Sequence, residues 1–353
     1  MNIDNEVKLD YSDVLLTPSR SNISSRSQID LNINYFDTDL IPIIAANMDG
    51  VGTFEIADAL AKHGCMTALS KHYTVEELVD FYADFENKDH SSLVIYSMGS
   101  NEKDFKKFEA FDLMLLEEHR PHTICIDVAN GYTSQFEEFV EKFSSKFPSY
   151  ILMVGNVVTP EQTDRLLEAG ADIVKIGIGP GSVCTTRKLT GVGYPQLSAV
   201  IECAQAAKDA GGMIVADGGI TCPGDAAKAF AAGADMVMIG GYFAGHYEGG
   251  GVPCDANGTA YVHTQSLNTH RKFYGMASRT AQDIHNGGVA DYRASEGKEV
   301  IIPFKGSIDN TIKTFLGGLR SAATYIGADS IKDFHRRAKF IRVNRQLNNI
   351  FGS

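Results

Sequence analysis

No stretch of this 353-residue chain approaches the roughly 18 consecutive apolar residues a membrane helix needs, and the mixed, acidic opening from Met1 to Asp10 does not read as a secretory signal. Long Lys or Arg runs are missing too, and 44 acids against 32 bases leave a formal charge of −12. Such a chain is a poor partner for nucleic acid or an anionic membrane. Backbone amides and a few placed cations can still hold a small anion. The most basic stretch, His335, Arg336, Arg337 and Lys339, reads as a solvated helix face. Cysteine pairs are lacking as well. The thiols at Cys65, Cys125, Cys184, Cys203, Cys222 and Cys254 are scattered, which suits reduced cysteines in a cytoplasmic protein better than a disulfide framework. No CxxC or HExxH motif points to zinc, and His63 with Cys65 reads as packing. Hydrophobic residues at 44% and charged residues at 22% exclude disorder. Proline is sparse, 10 residues against 34 glycines, and many of the glycines fall in short clusters.

Eight short apolar, β-branched runs recur: Ile41–Ala46, Met66–Leu69, Leu93–Tyr96, Thr123–Val128, Ile151–Val154, Ile173–Ile176, Met213–Ala216 and Met236–Ile239. Near-continuous hydrophobicity suits parallel strands covered on both faces. Helical patterns lie between them. Phe54–His63 places Ile56, Ala59 and Leu60 on one face, and Leu197–Ala207 follows the sixth run. Val75–Phe85 opens on Thr74, and Pro160–Ala169 and Pro223–Ala232 each begin with proline in the first turn. The corners Ala169-Gly170-Ala171-Asp172 and Ala232-Gly233-Ala234-Asp235 end two of them with glycine. The pattern predicts one (β/α)8 TIM barrel domain over residues 1–353. An open doubly wound sheet is the poorer alternative, since no GxGxxG follows the first strand. Residues 1–40 are expected to cap the N-terminal face of the barrel. Residues 242–305 read as a structureless flap or lid inserted after strand 8. Final helices are expected over Asn310–Ile326 and Ile331–Phe340.

The site of such a barrel lies at the C-terminal ends of its strands. Asp127, Ala129 and Asn130 follow strand 4, Gly155 and Asn156 strand 5, and Gly177–Gly181 strand 6. Asp217-Gly218-Gly219 closes strand 7 and Gly240-Gly241 closes strand 8, where bare backbone can present N–H groups to a phosphate. The densest signal runs from Gly177 to Arg187 and holds Cys184, Thr185 and Thr186. A nucleophilic thiolate needs exposure and a proton acceptor. Thr186 is too weak a base alone, so a carboxylate is required nearby. A small buried cysteine ending a turn explains the spacing equally well. Glu296, flanked by Ser295 and Gly297, is a candidate carboxylate, and a solvated surface charge is the simpler reading of it.

Together these residues resemble the IMP dehydrogenase/GMP reductase family over nearly the whole chain. The resemblance rests on Asp13-Val14-Leu15-Leu16, Ala46-Asn47-Met48-Asp49, Asp127-Val128-Ala129-Asn130-Gly131-Tyr132, Gly155-Asn156-Val157, the Cys184 loop, Ala216-Asp217-Gly218-Gly219, Gly240-Gly241 and Tyr292-Arg293-Ala294-Ser295-Glu296-Gly297. The Cys184 loop running into Gly193-Tyr194-Pro195-Gln196 is similar to the reductase branch. Ser70-Lys71-His72-Tyr73 leads straight into a helix, leaving no room for the paired regulatory (CBS) module of the dehydrogenases. No Arg-Tyr dipeptide occurs, such as the dehydrogenases use to activate water.

The resemblance implies reductive deamination of GMP to IMP by NADPH in purine salvage, with ammonia released and a covalent thioimidate on Cys184. Thr186 and Glu296 would form the proton relay. It implies that Gly218, Gly219, Gly240 and Gly241 hold the phosphate and Asp217 the ribose. Gly275, Met276, Ala277, Arg293, Ala294, Ser295 and Gly297 would complete the nucleotide pocket. The cofactor would lie against Lys71, Asp127, Val128, Ala129, Ile178, Gly179, Met276, Ser321, Ala322, Ala323 and Thr324, with Ser25 and Arg26 reaching in from a neighbouring subunit of a homotetramer. A monovalent cation such as K+ would sit on Gly179, Gly181 and Cys184, with Arg187. Two departures from the family pattern stand out. Ala277 replaces a frequent Ser, which removes a hydroxyl from the pocket, and Tyr247–Arg271 is longer and more divergent than usual. The alternatives are oxidation of IMP on the same scaffold, disfavoured by the missing Arg-Tyr pair, and a catalytically silent nucleotide-binding barrel. The joint presence of Cys184, Thr186 and Glu296 argues against the silent barrel.

Overall fold

The computed structural model describes residues 3–83, 91–260 and 269–344. Eight parallel strands close into a barrel: β3 (Thr38–Ala45), β4 (Cys65–Ala68), β5 (Val94–Met98), β6 (Thr123–Asp127), β7 (Ile151–Val157), β8 (Ile173–Ile176), β9 (Met213–Asp217) and β10 (Met236–Ile239). The last strand pairs with the first, Val237 opposite Ile43 and Ile239 opposite Ala45. These strands coincide with the eight apolar runs. Every residue of β4, β5, β8 and β10 is buried, because side chains fill the barrel on one face and helices cover the other. No helix among the described residues is long and apolar enough to cross a membrane.

The outer layer comprises α1 (Phe54–Ala61), α2 (Val75–Ala83), α3 (Glu102–Met114), α4 (Ser134–Lys146), α5 (Pro160–Glu168), α7 (Gln196–Asp209), α8 (Pro223–Ala231) and α10 (Ile308–Ile326), with a short α6 (Thr186–Thr190) between β8 and α7. Local chemistry starts and stops them. Thr74 and Glu77 exchange reciprocal side-chain-to-backbone hydrogen bonds ahead of α2. Thr159, by contrast, makes no side-chain cap on α5, and its hydroxyl accepts from Tyr132 Oη at 3.1 Å instead. Gly170 and Gly233 leave their helices at φ of +99° and +106°, a region that L side chains avoid. Between α3 and α4 an aromatic cluster forms around Phe108, which touches Tyr96, Phe143, Phe147 and Tyr150. Residues 84 and 85 of the expected second helix lie outside the described residues.

Three expectations about the flanks need revision. The stretch 242–305 is not structureless. It carries an antiparallel sheet of β11 (Pro253–Cys254), β12 (His270–Tyr274) and β13 (Glu299–Pro303), with α9 (Arg279–Asn286) between the last two. Exposed and half-buried residues alternate along β13, as in a sheet with one wet face, so no continuous apolar run marks it. Residues 261–268 of the divergent stretch lie outside the described residues. The helix expected over Ile331–Phe340 is a 3₁₀ turn (Ile331–Asp333) and one turn of α11 (Phe334–Arg337). The chain then extends into β14 (Phe340–Arg342), which pairs antiparallel with β1 (Val14–Leu16). That partner lies at the opposite end of the sequence, beyond the reach of local periodicity.

The cap over the N-terminal face is a hairpin of β2 (Ile33–Tyr35) on the start of β3, with Tyr35 Oη 2.6 Å from Thr123 Oγ1 at the foot of β6. Residues 9–13 go elsewhere. The Lys228 ammonium donates to the Tyr11 carbonyl, and Tyr11 lies against Gly219 at the C-terminal end of β9.

Phe108→Ala removes a fully buried ring from this cluster. It is expected to lower the free energy of unfolding by about 3–5 kcal/mol, read by denaturant titration.

Candidate active site

Cys184 ends the glycine-rich loop after β8 and is half-buried. Its Sγ donates to Thr186 Oγ1 at 3.3 Å, and Thr186 Oγ1 donates to Glu296 Oε2 at 2.8 Å. Backbone contacts impose this alignment across 110 residues of sequence. Thr185 N donates to the Glu296 carbonyl at 3.1 Å and Lys298 N to the Val183 carbonyl at 2.9 Å, with Cys184 bridged antiparallel to Gly297. Gly297 permits the approach, since a Cβ there would lie 2.8 Å from Ser278 N. Chemically, the chain of atoms can carry the thiol proton through a hydroxyl to a carboxylate. Burial pushes Cys65, Cys125 and Cys203 up to about 12, which makes them inert.

The loop is braced from outside. Arg187 Nη1 pairs with Asp10 Oδ2 at 3.0 Å, Arg187 Nη2 donates to the Tyr194 carbonyl, and Gln196 N donates to Asp10 Oδ1 at 2.6 Å. The Arg187 stem fills the space over Gly179 and Gly193, where any Cβ would come within 2.6 Å of its Cγ. Asp10 therefore ties the N-terminal segment, α6 and α7 together, a role that nothing in its local sequence signals.

At the floor lies Lys175, 1% exposed, in the middle of β8. Its ammonium is 2.6 Å from Asp127 Oδ1 and 3.2 Å from Asp217 Oδ2. Asn156 Nδ2 donates to Asp217 Oδ2 at 2.8 Å, and Asn47 Nδ2 to Asp127 Oδ2 at 3.2 Å. Burial works against the charge on Lys175, but the two carboxylates outweigh it and hold the ammonium well above the ordinary lysine range. Burial likewise opposes charge on Asp127, and Lys175 overcomes it, holding that carboxyl below its usual value. The sequence reading placed Asn156 at the site end of the barrel without a role and missed Lys175 altogether. The available signal was a lysine inside the apolar run Ile-Val-Lys-Ile.

The glycines after β9 and β10 adjoin this loop. A Cβ on Gly218 would lie 2.9 Å from Pro180 Cγ, and one on Gly241 would lie 2.7 Å from Ser182 Oγ. Gly218 and Gly219 take φ of +89° and +78°. From the flap, Gly275 N donates to the Lys298 carbonyl at 3.2 Å, and the Met276 sulfur accepts from Asp49 N at 3.4 Å. Ser295 Oγ reaches the Ala277 carbonyl at 3.5 Å, while Arg293 and Ala294 are exposed. Val128 is tied to strand β7 by exchange of backbone hydrogen bonds with Gly155 and Asn156. Ala129 is exposed beside it, and Ile178 is buried in the loop.

Not every expected residue converges there. Ser321, Ala322, Ala323 and Thr324 lie on α10, which packs against the 3₁₀ turn Arg26–Gln28 that follows Ser25. Among the described residues, no hydrogen bond or ion pair joins either group to Cys184, Lys71 or Asp127.

A second polar cluster shares no hydrogen bond with Cys184 among the described residues. His285 Nε2 lies 2.6 Å from Asp49 Oδ2, and the His72 and His285 rings stack 3.4 Å apart.

The IMP dehydrogenase / GMP reductase domain family matches residues 8–347. A GMP reductase of Vibrio parahaemolyticus is 49% identical over 358 residues, one of Vibrio atlanticus 50% over 358, and one of Aliivibrio fischeri 49% over 361. Each alignment takes in 100% of this chain and 99% of the relative.

Lys175→Met leaves two carboxylates facing each other without a cation. It is expected to cost about 3–5 kcal/mol of stability at pH 7, and adding Asp127→Asn should restore part of that. The pH dependence has a defined sign. Asp127 titrates below its ordinary range, so its contribution is present above about pH 4 and lost as pH falls through the lowered value. The contribution of Lys175 is lost only as pH rises through its elevated value. Unfolding curves from pH 7 to 3 should therefore show the native protein losing stability below about pH 4, whereas Lys175→Met should gain stability on acidification as its unpaired carboxylates take up protons.

Proposed function

The chain belongs to the IMP dehydrogenase/GMP reductase family, and we propose that it is an enzyme of the reductase branch, converting GMP and NADPH to IMP, ammonia and NADP+ in purine salvage. The observation that carries this reading is the Cys184–Thr186–Glu296 chain of hydrogen bonds. The family also includes dehydrogenases. The direct run of Ser70–Tyr73 into α2 and the lack of an Arg-Tyr dipeptide favour the reductase.

In this reading the Cys184 sulfur adds to C2 of the guanine as its proton passes through Thr186 to Glu296. The same proton returns to the 2-amino group, the C2–N bond breaks, and ammonia leaves. The purine is then held on Cys184 as a thioimidate. Bound NADPH supplies the hydride that takes the place of sulfur at C2. The C–S bond electrons return to Cys184, which solvent reprotonates. Asp217 holds the ribose hydroxyls, its orientation fixed by Lys175 and Asn156. The phosphate sits on the backbone of Gly218, Gly219, Gly240 and Gly241. Gly275, Met276, Ala277 and Arg293–Gly297 close over the base.

The residues present fit a nicotinamide cofactor with a 2′-phosphate. Among the described residues the Lys71 ammonium has no ion pair, which leaves it available to that phosphate. Asp127, Val128, Ala129, Ile178, Gly179 and Met276 would contact the cofactor. Ser321–Thr324 lie on α10, which packs against the turn Arg26–Gln28 after Ser25, and among the described residues neither group is hydrogen-bonded to Cys184, which supports their serving the cofactor of a neighbouring subunit in a homotetramer. Neutral carbonyls of Gly179, Gly181 and Cys184 suit a monovalent cation such as K+ better than a divalent one. Arg187 would brace that loop, since its guanidinium is engaged by Asp10 and Tyr194 and its carbonyl accepts from Gly191 N.

The assay is NADPH oxidation with GMP, together with ammonia release. Glu296→Gln is expected to slow ammonia release by about 10²–10⁴-fold with little change in GMP binding. Unchanged turnover in that variant would defeat the relay. NADH formation from IMP and NAD+, with no NADPH oxidation by GMP, would point to the dehydrogenase instead.

A further inference from the structure

Asp49, His72 and His285 come from three parts of the chain: the ends of β3 and β4, and the last turn of flap helix α9. Their ligand atoms all lie within 4.8 Å of one another. The Asp49 carboxylate is already oriented, with Ser70 Oγ donating to Oδ1 and Tyr274 Oη to Oδ2, each at 2.9 Å. Its Oδ2 also faces His285 Nε2 at 2.6 Å, while the His72 ring lies on the His285 ring at 3.4 Å, with 6° between their planes. Two imidazoles and one carboxylate, with hydroxyls fixing the carboxylate, form the donor set of a late first-row divalent cation. The Cys184 chemistry uses none of the three side chains.

We propose that Asp49, His72 and His285 bind such a cation, with Zn2+ the best match, and that it clips the flap helix to the barrel mouth. Stacked rings aim their in-plane lone pairs along parallel planes, so the exposed His72 ring must turn out of the stack to share an ion with His285. Zinc about 2.0–2.1 Å from each donor separates neighbouring ligand atoms by about 3.3 Å, so the 2.6 Å His285–Asp49 contact opens by less than an ångström. The metal takes the place of the proton on His285 Nε2, which goes to solvent. A fourth position remains for water. Binding joins the barrel to α9, whose N-cap Ser278 is bridged to Gly297, the residue after Glu296. The clip therefore bears on the same flap that supplies the proton acceptor.

Co2+ is the probe, titrated into the full chain carrying Cys184→Ala so that the loop thiol cannot compete. Visible absorption of tetrahedral Co2+ should saturate at one equivalent per chain and be displaced by Zn2+. His285→Gln and, separately, His72→Gln should each weaken binding at least tenfold, with circular dichroism unchanged. Zn2+ should also slow hydrogen exchange of the α9 amides. Absence of a saturable equivalent, or equal affinity in either folded histidine variant, would overturn the site. Unchanged α9 exchange with Zn2+ bound would overturn the clip. None of these readouts depends on turnover of GMP.

Discussion

The mouth of the barrel depends on one juxtaposition: flap residues Ser295–Lys298 lie along the loop Val183–Thr186, joined by backbone hydrogen bonds from Thr185 to Glu296 and from Lys298 to Val183. A carboxylate on a long insertion is mobile relative to a barrel unless something fixes its register. Here the register is set by main-chain contacts, and the side-chain chain from Cys184 to Thr186 to Glu296 follows from it. Gly297 permits that approach and Ser278 abuts it. The loop in turn is held from behind by Arg187, Asp10 and Gln196, so neither side of the contact is free to drift.

Beneath this lies a charge arrangement of a different kind. A buried ammonium between two carboxylates contributes little net stability when intact and costs much when one member is lost. Lys175 and its partners are therefore better understood as a device for orientation. They fix the positions of the Asp127 and Asp217 carboxylates at the ends of β6 and β9, where a positively charged or hydroxyl-bearing ligand would meet them. Parallel strands supply the rigid platform, and glycines after β8, β9 and β10 let backbone pack against the Cys184 loop.

The barrel was legible because burial on both faces writes itself as contiguous apolar runs, and all eight strands fall on such runs. Features resting on alternation or distant pairing were not. Strand β13 has one wet face, and β14 becomes a strand only because Val14–Leu16 offers it an edge. In the site, glycine spacing singled out the Cys184 loop directly. Glu296 was indistinguishable from a surface charge on spacing alone, and only family resemblance drew attention to it. Lys175 was hidden by the apolar run around it. Asp10 and the Asp49–His72–His285 cluster have no local signature, because tertiary structure alone brings their partners together.

The most direct measurement of the central claim is mass analysis of the peptide carrying Cys184 after acid quench of the enzyme mixed with GMP and NADP+, a pair that cannot complete the hydride step. The expected result is an added mass of GMP less ammonia on that peptide, matched by an equivalent of ammonia released. GMP turnover at the ordinary rate with NADPH, without any such adduct on Cys184, would contradict it.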